Sequence, residues 1–278
     1  MKKLLAIAVA TAISAPAMAD LTIGGSADYR AESTDGNMVS TLETNLDFTA
    51  STKAENGLFA KTYIQVESFD AGDAGTQIDI DDNYLEIGNA SASLKVGGFA
   101  VMSAWATGDD DWQVDNTGNY AGHGLWLANG TQDAALTLNV VDGVSVQYAT
   151  TLDSTDTDAY QLAATVVAGG VTVVAEYEDA GTDATKGFAA SVSTTVSDVA
   201  VNVSYAKNEA DTSAAKFMVG YNGLELNVMN DDTSAGANET SWYGSYKMAL
   251  PVAGTSLTVG AGASDASDTF GARIDYKF

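Results

Sequence analysis

Clustered aspartates are the residues of this sequence whose type and spacing first point to chemistry. Asp109, Asp110, Asp111 and Asp115 fall within one segment, and a second cluster covers residues 79–82. Carboxylate oxygens attract cations and are the ligands that Ca²⁺ prefers. Neither cluster has the spacing of a dedicated Ca²⁺-binding loop. We therefore predict no metal site and no cofactor, with at most adventitious Ca²⁺ at these acidic segments.

Groups that could carry out catalysis are scarce. His123 is the one histidine, the chain contains no cysteine, and no G-x-S-x-G sequence is present. A serine nucleophile requires an adjacent general base, and one histidine in an acidic loop region is badly placed for that role. We expect the protein not to be an enzyme.

Charge and hydropathy together narrow the class of protein. The chain has 37 acidic and 12 basic residues, a net charge of −25. Nucleic acid is excluded as a partner, because binding phosphates requires lysine and arginine. A hydrophobic content of 46% argues against disorder. The acidic and the apolar residues must therefore occupy different surfaces of one fold.

An alternation of apolar and polar residues with a period of two shows how those surfaces are separated. It is clearest over residues 21–30, 41–50, 199–206, 224–228 and 241–248. Neighbouring side chains on a strand point to opposite faces, so each segment has one apolar and one polar face. The polar face of these segments contains Asp28, Arg30, Glu43, Asn45, Asp47, Asn202, Ser204, Glu225, Asn227 and Lys247.

Sixteen such strands are predicted between residues 20 and 278, although fourteen or eighteen remain open if two short segments are misread. Their predicted starts are residues 20, 39, 57, 80, 93, 132, 144, 158, 171, 187, 199, 214, 223, 240, 255 and 269. Short turn-like connections alternate with longer acidic ones, and the longest connection runs from Ala100 to Gln132. This rhythm is typical of an antiparallel up-and-down transmembrane β-barrel, which has short turns on one side and longer loops on the other.

A soluble β-sandwich is the alternative, and aromatic residues argue against it. Aromatic side chains recur near strand ends on the apolar face, where a membrane barrel carries its interface girdles. They are Tyr29, Phe48, Tyr148, Tyr160, Tyr177, Phe188, Tyr205, Phe217, Tyr221, Trp242, Tyr246 and Phe270. We therefore favour a barrel whose apolar face contacts lipid.

The N-terminal residues predict export. Lys2 and Lys3 precede a short apolar run over residues 4–12, and Ala17-Met18-Ala19 has the small-residue pattern of a cleavage site. This is the pattern of a secretory signal peptide. We expect a cleaved segment 1–19 followed by one barrel domain, 20–278.

Several segments carry a resemblance to a known family. They are the strand at 21–25, the strand pair at 83–88 and 93–98 with the long loop after it, and a last strand that ends on Phe278. Taken together, the chain resembles the general porins of Gram-negative bacteria, in particular the small sixteen-stranded type. The resemblance implies an outer-membrane homotrimer. It also implies that the barrel-assembly machinery reads Tyr276 and Phe278.

The same resemblance implies where the channel is narrowest. The third loop of these porins folds into the lumen, which places Asp109, Asp110, Asp111 and Asp115 at the constriction. Rings of carboxylates favour cations, so we expect a water-filled, cation-preferring passive channel for small hydrophilic solutes and ions.

General porins carry clustered arginines on the wall opposite that loop, and this chain departs from the pattern. Its candidates are Arg30, Lys61, Lys95 and Arg273. Either lysine could instead lie at the rim of the barrel. We therefore expect a weak transverse field at the constriction.

Two other functions stay open at this point. Four aromatic residues in the long loop could form a track for a specific substrate; they are Trp105, Trp112, Tyr120 and Trp126. The barrel could also be a structural or adhesive surface protein. Fold class alone does not choose among these functions.

Overall fold

A computed structural model describes residues 20–70, 76–99, 101–104, 133–151, 159–179, 186–232, 238–264 and 267–278. The predicted signal peptide and most of the predicted constriction loop lie outside the described residues. So do Asp109, Asp110, Asp111 and Asp115, together with the four aromatic residues of that loop.

Sixteen antiparallel strands form one closed barrel, as the alternation predicts. In chain order they are β1 Asp20–Thr34, β2 Asn37–Lys53, β3 Phe59–Asp70, β4 Thr76–Gly88, β5 Ala92–Gly98, β6 Ala134–Val141, β7 Val144–Thr150, β8 Tyr160–Ala168, β9 Val171–Asp179, β10 Lys186–Val196, β11 Val199–Asn208, β12 Ser213–Tyr221, β13 Leu224–Asp232, β14 Asn238–Ala249, β15 Thr255–Ala263 and β16 Asp268–Lys277. Each strand pairs with its neighbours in sequence, and β1 pairs with β16 to close the sheet. No described segment forms a helix long and apolar enough to cross a membrane.

The barrel is apolar on its outside, the reverse of a soluble protein. Leu21 and Ile23 on the outer face of β1 are 66% and 61% exposed, whereas Asp28 on the inner face is 6% exposed. The same contrast repeats around the sheet, because side chains alternate between the two faces of every strand. An outer surface of this kind is stable when it contacts lipid instead of water.

All sixteen strands begin within four residues of their predicted starts, but the connection between β1 and β2 is a tight turn and not the longer loop predicted there. The sequence placed a longer acidic loop between β1 and β2, over residues 34–37. In the structure this connection is the two-residue turn Asp35-Gly36, with φ values of 50° and 82°. Positive φ at both positions matches the twist of the flanking strands, as in a type I′ hairpin. The acidic residues of this region lie in the turn or in the strands beside it. They do not form an extended loop.

The closing seam joins the start and the end of the barrel. Gly25 and Phe278 exchange two backbone hydrogen bonds, each 3.1 Å long. A Cβ atom at Gly25 would lie 2.2 Å from the carbonyl oxygen of Asn45 and 2.8 Å from the ring of Phe278. Only glycine fits this position without displacing the neighbouring strand or the terminal ring.

Aromatic side chains on the outer face are distributed unevenly. Tyr148, Tyr160 and Tyr177 follow one another across β7, β8 and β9, with ring centroids 6.3 Å and 6.2 Å apart. Phe188 and Tyr205 continue the row on β10 and β11. The outer face of β3–β6, by contrast, carries no aromatic residue among the side chains that the structure describes. The girdle is therefore interrupted on one side of the barrel.

Candidate functional site: the barrel lumen

Polar side chains line the inner wall, and the ten that the sequence assigned to the polar face all lie there. Neighbouring inward residues of one strand bond to each other. Asn45 donates to Glu43 over 2.7 Å, and Asn227 donates to Glu225 over 2.6 Å. These strands therefore enclose a polar surface that water can solvate, and sixteen-stranded barrels are wide enough to hold an aqueous lumen.

The chain after β5 turns inward and lies against this wall. Phe99 is buried against Ala135 and Ala149 of β6 and β7. The backbone N–H of Met102 donates to the Gln147 side chain on β7 over 2.8 Å. The start of the long loop therefore lies inside the barrel.

Glu176 on β9 holds the next residues of this segment. The backbone N–H of Ala104 donates to one carboxylate oxygen over 2.8 Å, and the Ser103 hydroxyl donates to the other over 3.5 Å. Gln161 on β8 also donates to Glu176, over 3.2 Å. Glu176 is 4% exposed and Ala104 is fully buried. We call residues 101–104, with Gln147 and Glu176, the wall anchor.

Small side chains on the wall make this approach possible. Four alanines lie in one cross-strand row with Glu176 from β8 to β12; they are Ala163, Ala189, Ala206 and Ala214. The methyl group of Ala104 packs against Ala189 and Ala206. Longer inward side chains at these positions would keep the segment away from the wall.

The wall anchor and the alanine row are features that the sequence analysis missed. Gln147 and Glu176 each look like one more polar residue on a wet inner face. The inward alanines did carry a signal, because they place apolar groups where polar ones are expected. That exception to the alternation marks the strip of wall that another part of the chain covers.

Both arginines predicted on the pore wall face the lumen at the closing seam. Arg30 and Arg273 lie directly opposite each other on β1 and β16, and so do Asp28 and Asp275. The Nε of Arg273 lies 2.6 Å from Asp275 and 3.4 Å from Asp28, and Arg30 lies 3.8 Å from Asp28. Two positive and two negative charges therefore form one compensated group, the seam quartet.

Both predicted lysines also lie on the inner wall. Lys61 on β3 and Lys95 on β5 flank Glu86 of β4 in cross-strand register. The Lys95 ammonium lies 4.4 Å from the centre of the Tyr84 ring, and that of Lys61 lies 5.5 Å from it. The structure thus groups the basic candidates into two pairs, one at the seam and one on β3–β5.

Tyr276 and Phe278 face outward at the end of the last strand. Their ring centroids are 5.6 Å apart, and both side chains are exposed on the surface of the isolated barrel. An external receptor could contact them there, so their predicted role as an assembly signal is compatible with their position and stays a prediction. Across the described ranges, no three acidic or histidine side chains are arranged to hold a metal ion.

Comparisons with known proteins agree with this geometry. A family model described as Gram-negative porin matches residues 6–278. A double mutant of the Rhodopseudomonas blastica porin superposes with a TM-score of 0.69 at 13% identity, covering 93% of this chain and 100% of that one. A triple mutant of the same porin gives 0.70 at 13% identity, with the same coverage of both chains. No curated protein matches the sequence.

The likeness to solved structures at this low identity establishes the barrel architecture, and the family match covers nearly the whole sequence. The predicted resemblance and the predicted outer-membrane location are both confirmed. This chain belongs to the Gram-negative porin family, and it is a channel protein of the outer membrane.

Proposed function

We propose that this porin is a cation-preferring passive channel for small hydrophilic solutes, narrowed by the segment that follows β5. The observation that carries the proposal is the wall anchor. Hydrogen bonds to Gln147 and Glu176 fix residues 101–104 against the inside of the barrel. A segment that begins in this position reduces the open cross-section of the lumen.

The distribution of charge supports cation preference. The chain has a net charge of −25, and its carboxylates lower the electrostatic energy of a cation near the lumen. Both inner-wall arginines belong to the seam quartet, where carboxylates within 4 Å compensate them. Little positive charge is therefore left at the seam to attract anions.

Planar-bilayer recordings test this proposal. Purified protein should give stable open conductance, and a KCl gradient should give a reversal potential of the sign expected for K⁺ preference. The preference should weaken at high salt, because the Debye length falls from about 10 Å at 0.1 M to about 3 Å at 1 M. A silent protein would contradict the channel, and anion preference would contradict the assigned selectivity.

Substitution of the predicted constriction aspartates locates the selectivity. A triple variant, Asp109→Asn, Asp110→Asn and Asp111→Asn, should lower the K⁺/Cl⁻ permeability ratio. The matched control removes three carboxylates from another acidic loop, by Asp153→Asn, Asp156→Asn and Asp158→Asn. Equal effects of the two variants would mean that selectivity follows total charge and not a constriction at 109–111.

We also propose a homotrimer that forms through the outer face of β3–β6. Family membership supports the trimer, and the interruption of the aromatic girdle supports the position of the contact. Aromatic girdles mark the part of a barrel surface that meets the lipid interface. Thr62 and Asn83 also lie on this aromatic-free face, and polar groups there are easier to accommodate against protein than against lipid.

Export by a cleaved signal peptide completes the proposal. The pattern at residues 1–19 supports cleavage between Ala19 and Asp20, and β1 begins at Asp20. Intact-mass measurement of the protein purified from outer membranes should give the mass of 20–278. A mass that includes residues 1–19 would contradict the assignment.

A further inference from the structure

A cationic and aromatic patch lies on the inner wall of β3–β5, beside the start of the wall anchor, where Tyr84 and Val101 both pack against the cluster that contains Phe99. Lys61 lies 5.9 Å from the ring of Tyr63 and 5.5 Å from that of Tyr84. Lys95 lies 4.4 Å from Tyr84 and 5.0 Å from Phe99. Two ammonium groups therefore share the Tyr84 ring, and each also contacts a second ring.

The neighbours of these rings hold them in place. The Tyr63 hydroxyl donates to Asp47 over 2.6 Å, and the rings of Tyr63 and Tyr84 are 5.3 Å apart. Phe99 packs edge-on against Tyr84 at 6.0 Å and is only 2% exposed. The patch is thus an ordered cluster of aromatic rings with two ammonium groups over the ring faces, and a lysine that turns toward a ligand carboxylate uncovers a face on which the ligand can stack.

The chemistry of this patch differs from that of the rest of the wall. Attraction between an ammonium and an aromatic ring is weaker than a charge-assisted hydrogen bond to a carboxylate. A ligand that supplies both a carboxylate and a flat ring offers each lysine a stronger partner. Such a ligand can also stack on Tyr63 or Tyr84, because offset aromatic pairs are favourable.

We propose that Lys61, Lys95, Tyr63 and Tyr84 form a binding site for aromatic carboxylates inside the channel. The proposal rests on the proposed function, because the ligand must enter through an open lumen. Asp82 lies close enough to Lys95 to interact with it electrostatically, and Glu86 lies between the two lysines in register. These carboxylates weaken the binding of a simple anion, so the aromatic contact decides which anions are retained.

Benzoate is the direct probe, applied to single channels at constant ionic strength. Benzoate should reduce the conductance saturably, whereas acetate at the same concentrations should not. Cyclohexanecarboxylate has the same charge and a similar size but no aromatic ring, and it should block about tenfold more weakly. Equal block by the two cyclic acids would overturn the aromatic part of the proposal, and equal block by acetate would overturn the site.

Variants locate the site on the wall. Lys95→Met and Tyr84→Leu should each weaken benzoate block by about tenfold, whereas Lys95→Arg keeps both the charge and the stacking and should retain block. The control Lys247→Met removes another inward lysine, on β14, and should leave block unchanged. If block is the same in all four variants, or if Lys247→Met weakens it as much as Lys95→Met, the site lies elsewhere.

Open conductance in KCl, measured before benzoate is added, separates the two proposals. A variant that conducts normally is folded and open, so its response to benzoate reports the site alone. If the unsubstituted protein shows no conductance, the channel itself fails. If it conducts and benzoate has no effect, the binding site fails while the channel stands.

Discussion

The backbone N–H of Ala104 donates a hydrogen bond to Glu176 over 2.8 Å, although the two residues are 72 positions apart in the chain. This contact joins the segment that follows β5 to the inner face of β9. It is buried, and Gln161 and Ser103 also bond to the same carboxylate. The carboxylate therefore holds residues 103 and 104 against the inner wall.

Removal of this carboxylate should free the segment. In Glu176→Ala the N–H of Ala104 loses its acceptor, which costs about 1–3 kcal/mol for a buried group. We expect larger single-channel conductance and more current noise. Glu176→Gln retains an acceptor oxygen and should behave nearly as the unsubstituted protein, whereas Ser193→Ala, on the inner face of β10, controls for a general effect on the wall. Unchanged conductance and noise in Glu176→Ala would show that the anchor does not set the pore size.

The seam quartet should stabilise the closure of the barrel. Arg273→Gln leaves the facing carboxylates of Asp28 and Asp275 without their nearest cation, at a cost of about 3 kcal/mol. The temperature at which the folded band disappears on unheated gels should fall. The double variant Arg273→Gln with Asp275→Asn should recover part of the loss, because it removes one of the opposed charges. A double variant less stable than Arg273→Gln would contradict this account.

The Phe278 side chain should contribute more to assembly of the barrel in cells than to stability of the folded barrel. Phe278→Ala should reduce the amount of folded protein in the outer membrane several-fold, because its ring is exposed where a receptor can reach it. The same variant, refolded from urea into detergent, should reach a yield close to that of the unsubstituted chain. An equal loss in both experiments would indicate that the ring contributes to barrel stability, through its contacts with Gly25 and Tyr276, and not to recognition.

The proposed trimer contact can be tested with two matched leucines. Leu85 on the outer face of β4 is 42% exposed, and Leu162 on the outer face of β8 is 49% exposed. Leu85→Lys should dissociate the oligomer on native gels. Leu162 lies between Tyr148 and Tyr177 of the aromatic row. Leu162→Lys therefore faces the lipid interface and should instead lower barrel stability only slightly, by no more than about 1 kcal/mol, while the oligomer persists. Dissociation by Leu162→Lys alone would place the contact on the other side of the barrel.

Local sequence patterns predicted most of the fold, since each strand of a barrel is defined by its own alternation and its neighbours follow in chain order. The connection at Asp35-Gly36 was predicted to be a longer loop because the region around it is acidic. Acidic residues are common both in loops and at the polar ends of long strands. Prediction of the seam quartet would have required the register of β1 against β16, because that register places Arg30 opposite Arg273. No local pattern contains that register.

The wall anchor could not be predicted from the sequence for a related reason. Gln147 and Glu176 have the polarity expected of any inward residue, and only the path of the chain after β5 gives them a special partner. The inward alanines at 163, 189 and 206 are the exception that sequence reasoning could have used. A run of such exceptions on adjacent strands predicts that something other than water covers the wall.

The pairing of Gly25 with Phe278 bears on how the protein is made. Until β16 is in place, β1 and β15 both present bare edges, and lipid offers their amide and carbonyl groups no partner. A chain that lacks β16 would form an open sheet that cannot close into a barrel. Pairing of β16 with β1 is thereby a physical precondition for a barrel that is stable in the bilayer.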